Sequence, residues 1–306
     1  MSVDPLKRSD RTGKSAVAQG IKDLVISGSF EMTPGRAIDA RDLAPQLPAG
    51  MPVYVHHSPR QRLAQSHAAL KAIRAAGLEP VPHIAARRVA SRSELDSFLE
   101  RAAGDSGVSR VLLIGGDVPQ PFGPYSSGAD LLDEGILVAH GIREVGLPGY
   151  PEGHPRIPGP VVEQALSRKL ALISAQGLGA YIVTQFSFAP ARVVKYCGEL
   201  ARSIPAIPVY VGLAGPIEAR TLLHFAQLCG VSASFRAMQA QGMGAIRLFT
   251  HTDPREQLAA VARHCLGHES SNVVGAHFFS FGDVARTVAW MNREITSDGD
   301  LDARVQ

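Results

Sequence analysis

The run EPVPHIAARRVASRSELDSFLERAAGDSGVSRVLLIGGD (residues 79–117) decides the fold. It opens on β-rich EPVPHIA (79–85) and closes on β-rich SRVLLIGGD (109–117), with a polar, amphipathic stretch between. Ser91 and Glu94 have the spacing of a capping box ahead of LDSFLERA, so the middle of the run predicts a helix. Strand, helix, strand is one unit of a parallel sheet.

The same rhythm extends in both directions. Strand-like runs occur at DLVISGSFEM (23–32), MPVYVHH (51–57), GAYIVTQFSF (179–188), IPVYVGLAG (207–215) and VVGAHFFSF (273–281). IREVGLPGYPE (142–152) is a weaker run because of Gly146, Pro148 and Gly149, but it falls where a fifth strand belongs. Helical patterns cover 59–77, 190–203, 216–230, 254–267 and 282–295, and another starts at Pro160 and ends at Gly177. Eight such units predict a single-domain α/β protein, a (β/α)8 TIM barrel over residues 21–296. A flexible N-terminal segment (1–20) and a C-terminal tail (297–306) are expected to flank it. A doubly wound open sheet is the rival, since it alternates strands and helices in the same way.

Composition narrows the function. Of the 306 residues 45% are hydrophobic and 19% charged, which suits a filled core and excludes a disordered chain. A net charge of +3 without basic runs argues against nucleic acid, and no apolar run is long enough for a membrane span. Cys197, Cys229 and Cys265 are far apart and lack CxxC spacing, so no disulfide framework or cysteine zinc site is expected. With no secretory signal in the first twenty residues, a cytoplasmic location is the expectation. The sequence is compatible with a homo-oligomer and does not decide the matter.

In a barrel the chemistry gathers at the C-terminal ends of the strands. The polar residues there are Glu31, His56, His57, His83, Asp117, the segment Tyr150 to His154, Gln185 and His277. Glu31 ends SFEM, where desolvation would keep a carboxyl protonated near neutral pH as a general acid; an Arg-paired carboxylate is the plainer reading. Asp117 follows Gly115 and Gly116, which suits a ligand contact or an Asp bracing its own turn. Gln185 can donate to and accept from the edge of a heterocycle, or satisfy buried backbone. GYPEGHP (149–155) is the most specific segment, a rigid turn presenting Tyr150, Glu152 and His154. His83 suits a phosphate or a flavin oxygen, or a backbone partner at the rim. Arg168 and Lys169 read as a solvated helix face or an anion site.

Other patterns fail. Gly13, Lys14 and Ser15 imitate the end of a P-loop, but no strand precedes them. His264, Cys265 and His268 have helix-face metal spacing without the Glu of HExxH, so no metal site is expected.

In order along the chain, SFEMTP (29–34), PHIA (82–85), GGDVP (115–119), GYPEGHP (149–155), RKL (168–170), TQFSF (184–188) and HFFSF (277–281) resemble the motif series of the methylenetetrahydrofolate reductase family. The resemblance implies a (β/α)8 barrel that binds FAD, takes hydride from NADH or NADPH, and reduces 5,10-methylenetetrahydrofolate to 5-methyltetrahydrofolate. It implies Glu31 and Asp117 as catalytic residues, with Gln185, Asp117 and Phe188 against the folate. It also places His83, Gly116, Tyr150, His154, Arg168 and Lys169 at flavin contacts. The sequence departs from the family at Gly115, where an arginine is usual, at His56 for threonine, at Val162 for aspartate, near Ala219 for an aromatic, and near Asp283 for arginine. Most of these departures fall on the flavin side, so the resemblance also admits direct hydride transfer from nicotinamide to folate. The alternative class is a folate-binding barrel that transfers a methyl group, or a non-catalytic folate-binding paralogue.

Overall fold

The computed structural model describes residues 5–35, 40–57, 62–229, 231 and 253–297. Eight parallel strands close into a barrel in sequence order: β1 Ser29–Met32, β2 Pro52–Val55, β3 Glu79–Ala85, β4 Arg110–Ile114, β5 Glu144–Gly149, β6 Gly179–Thr184, β7 Val209–Ala214 and β8 Val273–Phe279. The closing ladder pairs Ser29 with His277 and Phe30 with Phe278. This is the (β/α)8 architecture, and the open sheet is excluded because β1 and β8 are neighbours.

The helices follow the strands. α1 is Pro5–Ile26, α2 Ala40–Leu43, α3 His67–Ala75, α4 Arg92–Ser106, α5 Gly128–Asp133, α6 Ile136–Ala139, α7 Gly159–Ala175, α8 Pro190–Ser203, α9 Ala219–Leu228, α10 Arg255–Gly267 and α11 Val284–Thr296. At the start of α4, Ser91 Oγ accepts from Glu94 N, while the Glu94 carboxylate accepts from Ala90 N, one residue earlier than in a standard capping box.

Two expectations change at the N-terminus. Residues 5–26 form one helix, where a loose segment was expected over 1–20, and the GKS fragment lies inside it. The helix is anchored because Ile21, Leu24 and Val25 are buried and Gly20 approaches Ala262 of α10 closely enough that an added Cβ would meet the Ala262 Cβ at 3.2 Å. The same apolar residues explain why DLVISGSFEM contributes only its last four residues to β1: Asp23–Ile26 belong to the helix. Residues 298–306 of the expected tail lie outside the described residues.

Alternation of period two sorts each strand into two faces. Phe30, Met32, Val53, Val55, Ile84, Val111, Leu113 and Phe278 point outward into the layer beneath the helices. Each such side chain, fully buried, contributes about 1.5–3 kcal/mol. Tyr54, Val81, Leu112, Tyr181 and Val183 point inward and fill the barrel. Gly146, which weakens β5 as a sequence pattern, makes room for this filling: a Cβ there would sit 2.6 Å from the Tyr181 ring. Low in the barrel, at the first residues of their strands, Arg110 pairs with Glu144 (Nε to carboxylate, 2.6 Å) and Glu79 (3.7 Å). Its guanidinium carbon lies 5.2 Å from the centre of the Tyr181 ring. The Tyr54 hydroxyl donates to that of Tyr181 at 3.0 Å.

Candidate active site

The inward period that places Tyr54 and Val81 in the filling places the next inward residues, His56 and His83, one step nearer the mouth. Glu31 on β1 and His277 on β8 share that face, so four neighbouring strands deliver one carboxylate and three imidazoles to one spot. His56 Nδ1 is 3.5 Å from Glu31 Oε1, while His83 Nε2 and His277 Nε2 are 3.9 and 3.8 Å from Oε2. Below them Tyr54 meets His277 edge-on at 4.6 Å between ring centres, which fixes the depth of the cluster.

The scaffold holds these groups in different ways. Ser29 Oγ lies 2.9 Å from His277 Nδ1, and Ser280 Oγ donates to the Glu31 carbonyl at 2.6 Å, so the seam between first and last strands is bonded on both sides of the carboxylate. His83 is buried, and neither of its ring nitrogens has a hydrogen-bond partner; His277 Nε2 is likewise buried without one. The His56 side chain is 38% exposed, which makes it the cluster's link to solvent.

The electrostatics correct one expectation. Burial works to raise the Glu31 carboxyl, but the neighbouring imidazoles of His277, His83 and His56 outweigh it and hold the group at about 2. Glu31 is therefore an anion at neutral pH in the free protein, where a protonated carboxyl was expected. The expectation considered desolvation alone and not the ring of imidazoles. Desolvation dominates at His83 and brings it down to about 3 against the pull of Glu31, so His83 is the neutral partner.

The remaining candidates are more dispersed. Asp117 does not contact Glu31; its carboxylate pairs closely with Arg88, whose other branch donates to the His57 carbonyl at 3.1 Å. That bond and the Arg88 charge lower the Asp117 carboxyl against the opposing effect of burial. Gly116 has a φ of +93°, a turn that suits glycine. The loop after it is stapled by Arg87, which donates to the carbonyls of Val118, Pro119 and Ser126. The Gln185 side-chain oxygen accepts from Phe186 N at 3.1 Å, and Phe188 is buried against Phe186. Tyr150 and His154 meet edge-on at 5.0 Å as the GYPEGHP turn requires; burial raises the first to about 12 and lowers the second. Arg168 is engaged by Asp133 at 2.8 Å, and burial lowers the ammonium of Lys169. Cys197 and Cys229 carry free thiols raised by burial, to about 12 and about 11, as expected of inert packing residues.

Sequence reasoning missed an aromatic wall. Phe186, Phe279 and Phe281 form one cluster beside His277, with Phe281 stacked on Phe225 at 4.3 Å. Phe281 has a φ of +48°, a conformation that non-glycine residues seldom adopt. The alternation of TQFSF and HFFSF was its only trace in the sequence. Among the described residues no helix is long and apolar enough to cross a membrane.

A family model for methylenetetrahydrofolate reductase matches residues 37–241. Among solved structures, a protein from Clostridium thermocellum that binds two copies of 5-methyl-5,6,7,8-tetrahydrofolic acid is similar at a TM-score of 0.57 and 11% identity, over 87% of this chain and 93% of that one. A mutant tryptophan synthase α-subunit of Pyrococcus furiosus reaches 0.49 at 13% identity, over 88% and 97% of the two chains. Dihydropteroate synthase of Xanthomonas albilineans reaches 0.46 at 13%, over 86% and 89%. At 11% identity the first of these likenesses speaks to fold alone, whereas the family match covers most of the chain. This chain belongs to the methylenetetrahydrofolate reductase family.

Proposed function

We propose that the protein is an oxidoreductase of the one-carbon unit of tetrahydrofolate, moving hydride between NADH or NADPH and 5,10-methylenetetrahydrofolate to form 5-methyltetrahydrofolate, in either direction. The observation that carries this reading is the Glu31 carboxylate set among His56, His83 and His277 at the barrel mouth. Opening the methylene bridge needs a proton on the departing nitrogen before hydride can reach carbon. Since Glu31 is ionised in the free protein, the proton belongs to the cluster as a unit, entering at His56, the exposed member, and reaching the folate nitrogen through the carboxylate. The C–N bond then breaks, the iminium forms, and hydride from the nicotinamide completes the methyl group. In this reading Gln185 orients the pterin edge, and Asp117, held by Arg88, contacts it from the loop after β4.

Flavin fits these residues poorly. The Arg168 guanidinium is tied to Asp133, Gly115 offers no cation at its position, and Val162 is apolar. The reading therefore takes hydride directly from nicotinamide, and no step depends on FAD. The test gives the protein, once stripped of flavin and once reconstituted with FAD, NADH or NADPH deuterated at the transferable position. Direct transfer leaves deuterium in the product methyl group, whereas a flavin route loses it to solvent. Absence of nicotinamide oxidation with methylenetetrahydrofolate under either condition would overturn the proposed activity.

A further inference from the structure

We propose that Glu31, His56 and His83, with His277 as the fourth donor, form a binding site for one divalent transition-metal ion of the zinc class at the barrel mouth. One ligand atom from each of Glu31, His56 and His83 lies within 4.8 Å of the other two. Zinc bonds of about 2.0–2.1 Å set tetrahedral ligands about 3.3 Å apart, so side-chain turns of about 1 Å would close the set. Two imidazoles and a carboxylate are a ligand combination that zinc readily accepts, and a third imidazole stands beside it.

The hydrogen bonding supplies a second, independent observation. His83 is 5% exposed and has no partner at either ring nitrogen, although Nε2 faces Glu31 at 3.9 Å. In the tautomer that donates from His277 Nδ1 to Ser29 Oγ, the unpartnered Nε2 turns a lone pair toward the carboxylate at 3.8 Å. Lone pairs aimed at an anion in a buried site repel one another unless something positive lies between them. Metal-ligating imidazoles are held at the far nitrogen by an outer hydrogen-bond acceptor, a part that Ser29 Oγ can take for His277. The site itself stands independently of the folate reading; only its consequence rests on that reading. A bound ion would occupy the lone pairs that proton delivery requires, so metal-loaded and proton-carrying forms would exclude each other.

The experiment titrates untagged, chelator-stripped full-length protein with Co2+ and reads visible absorption, a measurement independent of turnover. The expected result is an intense band of a four- or five-coordinate site, saturating at one equivalent and displaced by Zn2+. His56→Thr, at a partly exposed mouth position with little packing to lose, is expected to weaken Co2+ binding about 100-fold with an unchanged thermal transition. Only weak octahedral absorption in the wild type, or equal affinity in the wild type and H56T, would overturn the site. Absence of nicotinamide oxidation with methylenetetrahydrofolate, together with success here, would overturn the folate reading and leave the metal site standing.

Discussion

The two ends of the barrel use polar residues in opposite ways. At the floor, Arg110 is shared by Glu79 and Glu144, lies over Tyr181, and sits beneath a Tyr54–Tyr181 hydrogen bond. At the mouth, a carboxylate faces three imidazoles at 3.5–3.9 Å, and three buried ring nitrogens have no partner. The floor's charges are matched by charges, and its contribution is stability. The mouth leaves hydrogen-bonding capacity unused, which is costly unless a ligand, ion or proton takes it up. Polar bookkeeping alone therefore separates a structural end from a reactive one, without any appeal to resemblance.

Substitutions at either end test that division. Arg110→Ala should have the largest effect, because it leaves two carboxylates facing each other low in the barrel. A loss of about 3 kcal/mol is expected in urea unfolding, with the metal and folate affinities of the surviving folded protein unchanged. Glu31→Gln should instead act on the chemistry, lowering folate turnover about 100-fold, roughly 2.7 kcal/mol of barrier, in a protein that still unfolds as one cooperative unit. Turnover within a few-fold of wild type would remove Glu31 from the mechanism.

The smallest effect concerns pH. His83 is held neutral by burial, near 3 against an ordinary 6.5, so the unfolded chain binds the proton more readily throughout that interval. Its contribution to stability is complete above pH 6.5 and is lost as pH falls toward 3. Between pH 7 and 5.5 the loss should be about 1 kcal/mol. His83→Gln should flatten the unfolding free energy over that range by this amount. Glu31, depressed from 4.5 to about 2, adds its own loss only below pH 4.5, so the two contributions separate.

Much of this architecture was legible in the sequence. EPVPHIA is β3 residue for residue, and Pro190–Ser203 is the helix its pattern predicts, because alternation and helix periodicity are local properties. DLVISGSFEM was misread at its first half because a short apolar run fits a helix end as well as a strand, and only packing against α10 and α11 decides between them. The brief helices α5 and α6 are too short to leave a periodic signature. At the site, Glu31, His56, His83 and His277 were each visible as strand-end residues. Their convergence was not visible, since it requires β8 to lie beside β1. The Arg88–Asp117 pair was hidden for a similar reason: nothing local ties residues separated by 29 positions.

The seam between β1 and β8 also has a consequence for biogenesis. Ser29 and His277 are separated by 248 residues, yet the cluster is finished only when they touch. A ribosome releasing this chain before β8 would leave a barrel lacking its final stave, with the Glu31 carboxylate deprived of one imidazole and of the serine that bonds its backbone. Long-range closures of this kind form late in folding. Competence for chemistry would then appear only once β8 has been made and docked, and copies terminated ahead of it would be inert.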